Sequence, residues 1–492
     1  MLARRFFSIK LETKILINNK WVDSLSGKTF PTINPATEEV IAHVQKGSAE
    51  DVDLAVNAAR AAFDFGPWRR FTASQRAGCI RRLADLIEEN KSELAYIETI
   101  NNGKPISDSL NFDLPMTLDT YRYYAGYTDK VFGKTIPMSG PFFTYTKLEP
   151  VGVVGQIIPW NVPLIMQAWK LAPAMAAGCT VVLKPAEQTP LSALKVGELI
   201  IQAGFPPGVI NIVPGFGDTG AALATHKKVD KIAFTGSTEV GLEIVKNAGV
   251  NGLRRVSLEL GGKSPNIIFD DADLDLAISQ AHIGVFLNQG QVCFSGSRVF
   301  VQAGIYDEFV SRSASLIKCR KLGDPLDPTT QHGSQISKVQ LEKILYYIET
   351  GKSQGAKLIA GGKRLGLKGC FVEPTIFADV TDDMTIAKEE IFGPVMSILK
   401  FHTIDEVIQR ANNTNYGLGA GVVTRDIEKA FKVTNALRAG TVFVNCYSVI
   451  TEGAPFGGFK QSGNDKEMGT EGFMSYIEKK TVVIKTSEDT LP

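Results

Sequence analysis

The sequence predicts an α/β protein made of two doubly wound parallel-sheet domains and a β-ribbon arm. Three observations carry this. At 492 residues the chain exceeds the length at which a single core usually divides. From about residue 150, short apolar strands alternate with helical patterns across short loops, the pattern of parallel sheets joined by crossover helices. Two extended, partly polar segments, 130–150 and 478–486, stand outside that alternation. Exposed strand edges of this kind commonly pair with another subunit. Composition sets the outer limits: 44% hydrophobic and 21% charged residues are globular values. A balance of 53 Lys+Arg against 52 Asp+Glu argues against a nucleic-acid partner, which needs a concentrated positive face.

In chain order, the start MLARRFFSIKL (1–11) carries Arg4, Arg5 and Lys10 with no acid before Glu12. It predicts a short mitochondrial presequence and a matrix location, with an ordinary tail and a cytoplasmic protein as the alternatives. Residues 50–126 show helical patterns. VGVVGQIIP (151–159) reads as a buried strand and 163–178 as a helix started by Pro163 and ended by Gly178. TVVLKP (180–185), a helix over 190–204, VINIVPG (209–215), KIAFTG, STEVGLEIVKNAG and RVSLEL continue the alternation to residue 260. A second run begins near Asn266. It contains PNIIFD, a helix from Asp273, SRVFVQ, a helix from Ile305, KVQLEKILYYIETG, FVEPTIFADV, VMSILKF and GTVFVN. Uncharged stretches at 150–169 and 276–297 have the length of a membrane span. Pro159 and Pro163 interrupt the first, and amides such as Gln156, Asn288 and Gln289 argue against lipid in both, so no membrane partner is expected.

Six cysteines without a C-x-x-C pair and five scattered histidines without H-E-x-x-H predict neither a disulfide framework nor a metal site. A lone reactive cysteine stays open. GFGDTG (215–220) is a formal G-x-G-x-x-G, but such turns recur throughout α/β proteins and it reads better as a turn. GGKS (261–264) fails as a Walker A loop because Ser257 holds the first glycine position. FTGSTEVG (234–241) places a Gly-Ser turn before a helix, suited both to a Ser237 N-cap and to a phosphate. Cys293 lies among glycines and serines in GQVCFSGSR (290–298), where backbone amides could approach an oxyanion; spacing alone also fits an inert buried thiol. Glu259 closes an apolar strand, either as a solvated end or at the sheet edge where ligands bind.

Several stretches together resemble the aldehyde dehydrogenase superfamily, in particular its NAD-dependent, tetrameric mitochondrial and cytosolic general aldehyde dehydrogenases. They are GQIIPWNVPLIMQAWKLAPA (155–174), KPAEQTPLSAL (184–194), VDKIAFTGSTEVG (229–241), LELGGKSPNIIFDDADLD (258–275), NQGQVCFSGSR (288–298), MTIAKEEIFGPVMSILKF (384–401) and PFGGFKQSG (455–463). The resemblance implies a cofactor-binding domain over 12–129 and 151–260, a catalytic domain over 261–477, and an arm over 130–150 and 478–492. It implies that a Cys293 thiolate attacks the aldehyde to give a thiohemiacetal, held by the Asn161 amide and the Cys293 N–H. Glu259 then stands in the general-base position, with Lys170 and Glu467 supporting proton transfer around it. For NAD, it implies Lys184 and Glu187 at the adenosine ribose, Gly236 and Ser237 at the pyrophosphate, and Trp160, Glu390 and Phe392 at the nicotinamide half. No further cofactor and no metal is expected.

Phe112, Met116, Met166, Trp169 and Phe294 are the expected substrate-pocket residues, with Val162, Leu287 and Ile450 where acetaldehyde-oxidising members are commonly aromatic. Fewer rings predict an aldehyde longer or bulkier than acetaldehyde, since a methylene in an apolar pocket is worth about 1–3 kcal/mol. Self-association, as a homotetramer or failing that a dimer, is expected through the arm. Two rivals stand beside this reading. A coenzyme A-acylating enzyme generally lacks the glutamate matching Glu259, and a crystallin-like structural protein tends to lose the nucleophile or cofactor residues.

Overall fold

The computed structural model describes residues 10–250 and 252–487. Most of the presequence-like start, residues 1–9, and the end of the expected arm, 488–492, lie outside the described residues. The first sheet has seven strands. In spatial order five parallel ones are Arg255–Glu259, Lys231–Thr235, Val153–Ile157, Thr180–Lys184 and Ile210–Ile212. Ile15–Ile17 and Lys20–Val22 extend that sheet antiparallel. Side chains alternate across a strand, so Val181 and Leu183 enter the core under the helix Pro163–Ala177 while Val182 enters the core on the other face, shared with the helix Ala49–Asp64.

The second sheet runs Lys357–Ala360, Thr375–Ala378, Val395–Phe401, Arg298–Gln302, Pro265–Ile268, Gly419–Val423 and Thr441–Val444. Only its Lys357–Ala360 edge is antiparallel. Ile267 and Phe300 face one core, Ile268 and Val299 the opposite one. The two extended segments form one small antiparallel sheet: Ile477–Lys485 pairs along Phe142–Pro150, which pairs with Thr135–Ile136.

The predicted α/β architecture is present, with differences at its margins. Each large sheet carries antiparallel strands at an edge. The strand expected over 151–159 covers Val153–Ile157, because Gly152 takes a φ of 128° and Pro159 offers no N–H to a ladder. The helix expected over 163–178 is Pro163–Ala177, closed by Gly178 in the left-handed region. Among the described residues, no helix is long and apolar enough to cross a membrane.

Candidate functional site

A cavity of about 270 Å³ opens between the two sheets, at the carboxyl ends of three first-sheet strands. Val153–Ile157 leads into Pro159, Trp160 and Asn161; Lys231–Thr235 into Gly236 and Ser237; Arg255–Glu259 into Leu260 and Gly261. The second sheet supplies the opposite wall through the loop ahead of Arg298–Gln302, which carries Cys293.

That loop is tightly fixed. Asn288 and Gln289 take φ values of 47° and 56°, and Gly290 one of 73°, where a Cβ would fall 2.2 Å from the Gly393 carbonyl oxygen. Asn288 Nδ2 donates to the Asn161 carbonyl at 2.9 Å, and Asn102 Nδ2 donates to it at 3.2 Å. Buried Asn161 in turn donates from Nδ2 to the Gln291 carbonyl at 2.9 Å. One amide N–H anchors the side chain two residues before Cys293, and the second is left for a ligand. Recessed in the cavity, the Cys293 thiol is pushed up by burial first and then by the Glu390 and Glu259 charges.

Glu259 is buried, and neither carboxylate oxygen has a hydrogen-bond partner. Burial pushes it well above the usual carboxylate range, the Glu467 charge adds to that, and Lys170 and Lys466 oppose it. Lys170 Nζ is in close contact with Glu467 Oε1. Gln156 Nε2 holds the Lys170 carbonyl at 2.7 Å. The two residues expected to support Glu259 therefore meet as an ion pair beside it.

On the cofactor side, Lys184 is buried at the end of its strand, paired with Glu187 at 3.5 Å and donating to the Pro185 carbonyl at 3.1 Å. Burial lowers its pKa, and the Glu187 charge opposes that. Ser237 caps the helix Thr238–Ala248 through Val240 N at 3.3 Å. Gly236 packs on Phe234, whose ring a Cβ would meet at 2.4 Å. Glu390 accepts from Gly262 N at 3.1 Å and is pushed up to about 6, chiefly by burial. Phe392, at φ 56°, sets its ring edge-on to Trp160 at 5.3 Å. A buried cation beside a carboxylate, a helix amino terminus and the unpartnered, buried Thr235 hydroxyl in the cavity wall form a donor set that fits a dinucleotide.

Cys293 and Asn161 line the cavity, as do Trp160, Gly236, Ser237, Glu390 and Phe392. So do all eight expected pocket residues: Phe112, Met116, Val162, Met166, Trp169, Leu287, Phe294 and Ile450. Lys184 and Glu187 lie outside that wall, one strand over, where Lys184 pairs with Ile157. Glu259, Lys170 and Glu467 are not part of that wall and are grouped with one another. Sequence reasoning missed Lys343 and Gln340, which enter the cavity from the helix Lys338–Ser353. It also missed the braces: Gln340 Nε2 donates to the Phe392 carbonyl at 2.8 Å. An amide on an amphipathic helix carries no local signal for such a bond. Among the described residues no group of His, Cys, Asp and Glu is placed to hold a metal. GFGDTG forms the entry to the helix Gly217–Thr225, with Gly215 closed onto Thr219.

Comparison with known proteins gives concordant results. The profile of the Aldehyde dehydrogenase family matches residues 21–482. The chain is 59% identical over 477 residues to human mitochondrial aldehyde dehydrogenase, covering 96% of this chain and 92% of that protein. It is also 59% identical over 475 residues to human retinal dehydrogenase 2, with the same coverages. An NAD+ complex of aldehyde dehydrogenase from Bacillus cereus superposes with a TM-score of 0.96 at 51% identity, over 99% of this chain and 98% of that one. An indole-3-acetaldehyde dehydrogenase of P. syringae, a cysteine-to-alanine mutant in complex with NAD+ and IAA, superposes with a TM-score of 0.97 at 43% identity, over 98% and 99%. With a family profile spanning nearly the whole chain and relatives at this identity, the chain belongs to the aldehyde dehydrogenase family.

Proposed function

We propose that the chain oxidises an aldehyde to its carboxylic acid, using NAD as oxidant and water as the final acyl acceptor. One observation carries the reading: a cysteine thiol and an anchored amide share a cavity, and a buried, unpartnered carboxylate acts on that thiol through its charge. Cys293 Sγ, as its thiolate, adds to the carbonyl carbon and forms a thiohemiacetal. The free N–H of the Asn161 amide and the Cys293 backbone N–H hold the oxyanion. NAD supplies the hydride acceptor, bound by Lys184, Glu187, Gly236 and Ser237 along its adenosine and pyrophosphate end and by Trp160, Glu390 and Phe392 near its nicotinamide. Glu259 takes a proton from water as that water attacks the thioester left on Cys293, and Lys170 and Glu467 support the transfer. In this reading 12–129 with 151–260 bind the cofactor, 261–477 carry the nucleophile, and 130–150 with 478–492 join subunits into a homotetramer.

A mitochondrial location is supported by the basic, acid-free start and by curated relatives named as mitochondrial enzymes. The aliphatic wall of Val162, Leu287 and Ile450 supports an aldehyde longer or bulkier than acetaldehyde. The test is NADH formation over a short-to-long aldehyde series, with NAD and NADP in parallel, Cys293→Ala as control and no coenzyme A. NAD-dependent turnover that is lost in the variant and peaks beyond acetaldehyde is the expected result. Turnover only when coenzyme A is added would assign acyl transfer instead. A kcat/KM highest for acetaldehyde would overturn the pocket reading.

A further inference from the structure

Each hydrolysis in this mechanism leaves a proton on Glu259, and a buried carboxyl cannot hand it directly to solvent. Strand alternation puts Ser257 on the same face of Arg255–Glu259 as Glu259. On the neighbouring strand Lys231 is buried, and its Nζ donates to Ser257 Oγ. Ser257 Oγ donates to Asp465 Oδ2, and Lys231 Nζ lies 3.5 Å from that oxygen. Asp465 is the open end, its side chain 35% exposed.

The same segment returns to the base. Gly463 bridges to Glu259, and Asn464 Oδ1 accepts from Leu258 N at 2.8 Å, so 463–467 runs beside the strand. At Gly457 a Cβ would touch Glu259 Oε1 at 2.4 Å and the Asp465 carbonyl oxygen at 2.5 Å, so both ends border one point. The charged groups facing Glu259 are Glu467, Lys170, Lys466 and Asp465. Lys231 faces Asp465, Lys170 and the buried Cys179 thiol, and its ammonium lies over the Tyr476 ring at 4.9 Å. A lysine taken out of water to meet a surface aspartate through a sheet hydroxyl is costly as a structural device. As a link between a buried proton site and solvent it has a use.

We propose that Lys231, Ser257 and Asp465 form the outlet through which the proton collected by Glu259, passed on by Glu467 and Lys170, reaches solvent. The inference rests on the role of Glu259 proposed above. In the step served, a water O–H breaks, its oxygen bonds the thioester carbon, and its proton goes to Glu259. The C–S bond then breaks, returning the sulfur as thiolate, and the proton leaves through the outlet to bulk water. Burial holds Lys231 at about 8, so it exchanges protons near neutrality.

The experiment compares the NADH burst and steady-state rate of the full chain with Asp465→Asn, Ser257→Ala and Glu259→Gln, each checked for an unchanged melting temperature. Rates are read at rising imidazole concentration. Glu259→Gln should give a burst of one NADH per site followed by slow turnover; failure to do so would remove the role of Glu259 itself. With that role intact, Asp465→Asn should keep the burst and lose about tenfold in kcat, less than the ~10²–10⁴-fold of a group acting at the reacting atoms. Imidazole should restore the rate in Asp465→Asn and in Ser257→Ala, and leave the unaltered enzyme unchanged. A purely structural ion pair gives no such rescue. Unchanged kcat in both outlet variants, or a loss that imidazole does not restore, would overturn the proposal.

Discussion

At the scale of single residues the site is a set of polar groups kept short of partners. Glu259 has none, Cys293 is held protonated by its recess, and Asn161 uses one amide N–H to leave the other free. Because burial raises both acids, their charged forms gain population as pH rises, and kcat/KM should climb as pH rises above the ordinary carboxylate range. Asn161→Ala should lower it by about 10²–10³-fold across that range without moving the pH dependence, since it removes a donor and no titrating group. A shifted profile in that variant would mean that Asn161 sets the thiol rather than the oxyanion. Much of this was legible in sequence, though unevenly. Cys293, Glu259 and Asn161 stand out once several motifs are read together, whereas spacing alone leaves Cys293 looking like an ordinary buried thiol. Asn102, Asn288 and Gln340 were invisible because each acts by a side-chain bond to a carbonyl in a distant segment.

Among the elements, the helix Pro163–Ala177 does the most positioning. All of its residues are buried, and its first turn follows directly on Asn161. No cap side chain precedes it; Glu98 Oε1 instead accepts from Leu164 N at 3.3 Å. Glu98 is itself pushed up to about 7 by burial, against the Lys104 charge, and Lys104 Nζ meets Asp113 at 2.5 Å. This wholly buried group joins the start of the helix to the segment bearing Phe112. Lys104→Met should cost about 3–5 kcal/mol, because two buried carboxylates lose their cation. Urea unfolding monitored by tryptophan fluorescence checks it; a loss under about 1 kcal/mol would show the carboxylates already neutral. Long apolar elements such as this helix were readable from their Pro and Gly punctuation. The strands Ile15–Ile17 and Lys20–Val22 were not, being three residues each at a sheet edge. Ile404–Asn412 was overlooked although Thr403 and Glu406 form a capping box, a signal the sequence did contain.

For the whole molecule, the alternation of strand and helix announced two sheets, but not that the working cavity lies between them. Such placement depends on packing between segments far apart in the chain. The arm leaves Phe143, Val483 and Ile484 exposed on neighbouring strands. Apolar residues left exposed on so small a sheet favour contact with another copy. Phe143→Asp combined with Val483→Asp should convert the proposed tetramer to smaller species by light scattering, with the melting of the cores little changed. An unaltered mass would move the subunit contact elsewhere. The recess around Cys293 also bears on how long each molecule survives its own chemistry. Peroxides consume thiolates far faster than thiols. The proposed nucleophile, kept protonated in a half-buried pocket, is shielded while the enzyme idles, whereas Cys319 lies open at the surface. Oxidant therefore meets an exposed sulfur first, and the proposed nucleophile becomes vulnerable mainly during turnover.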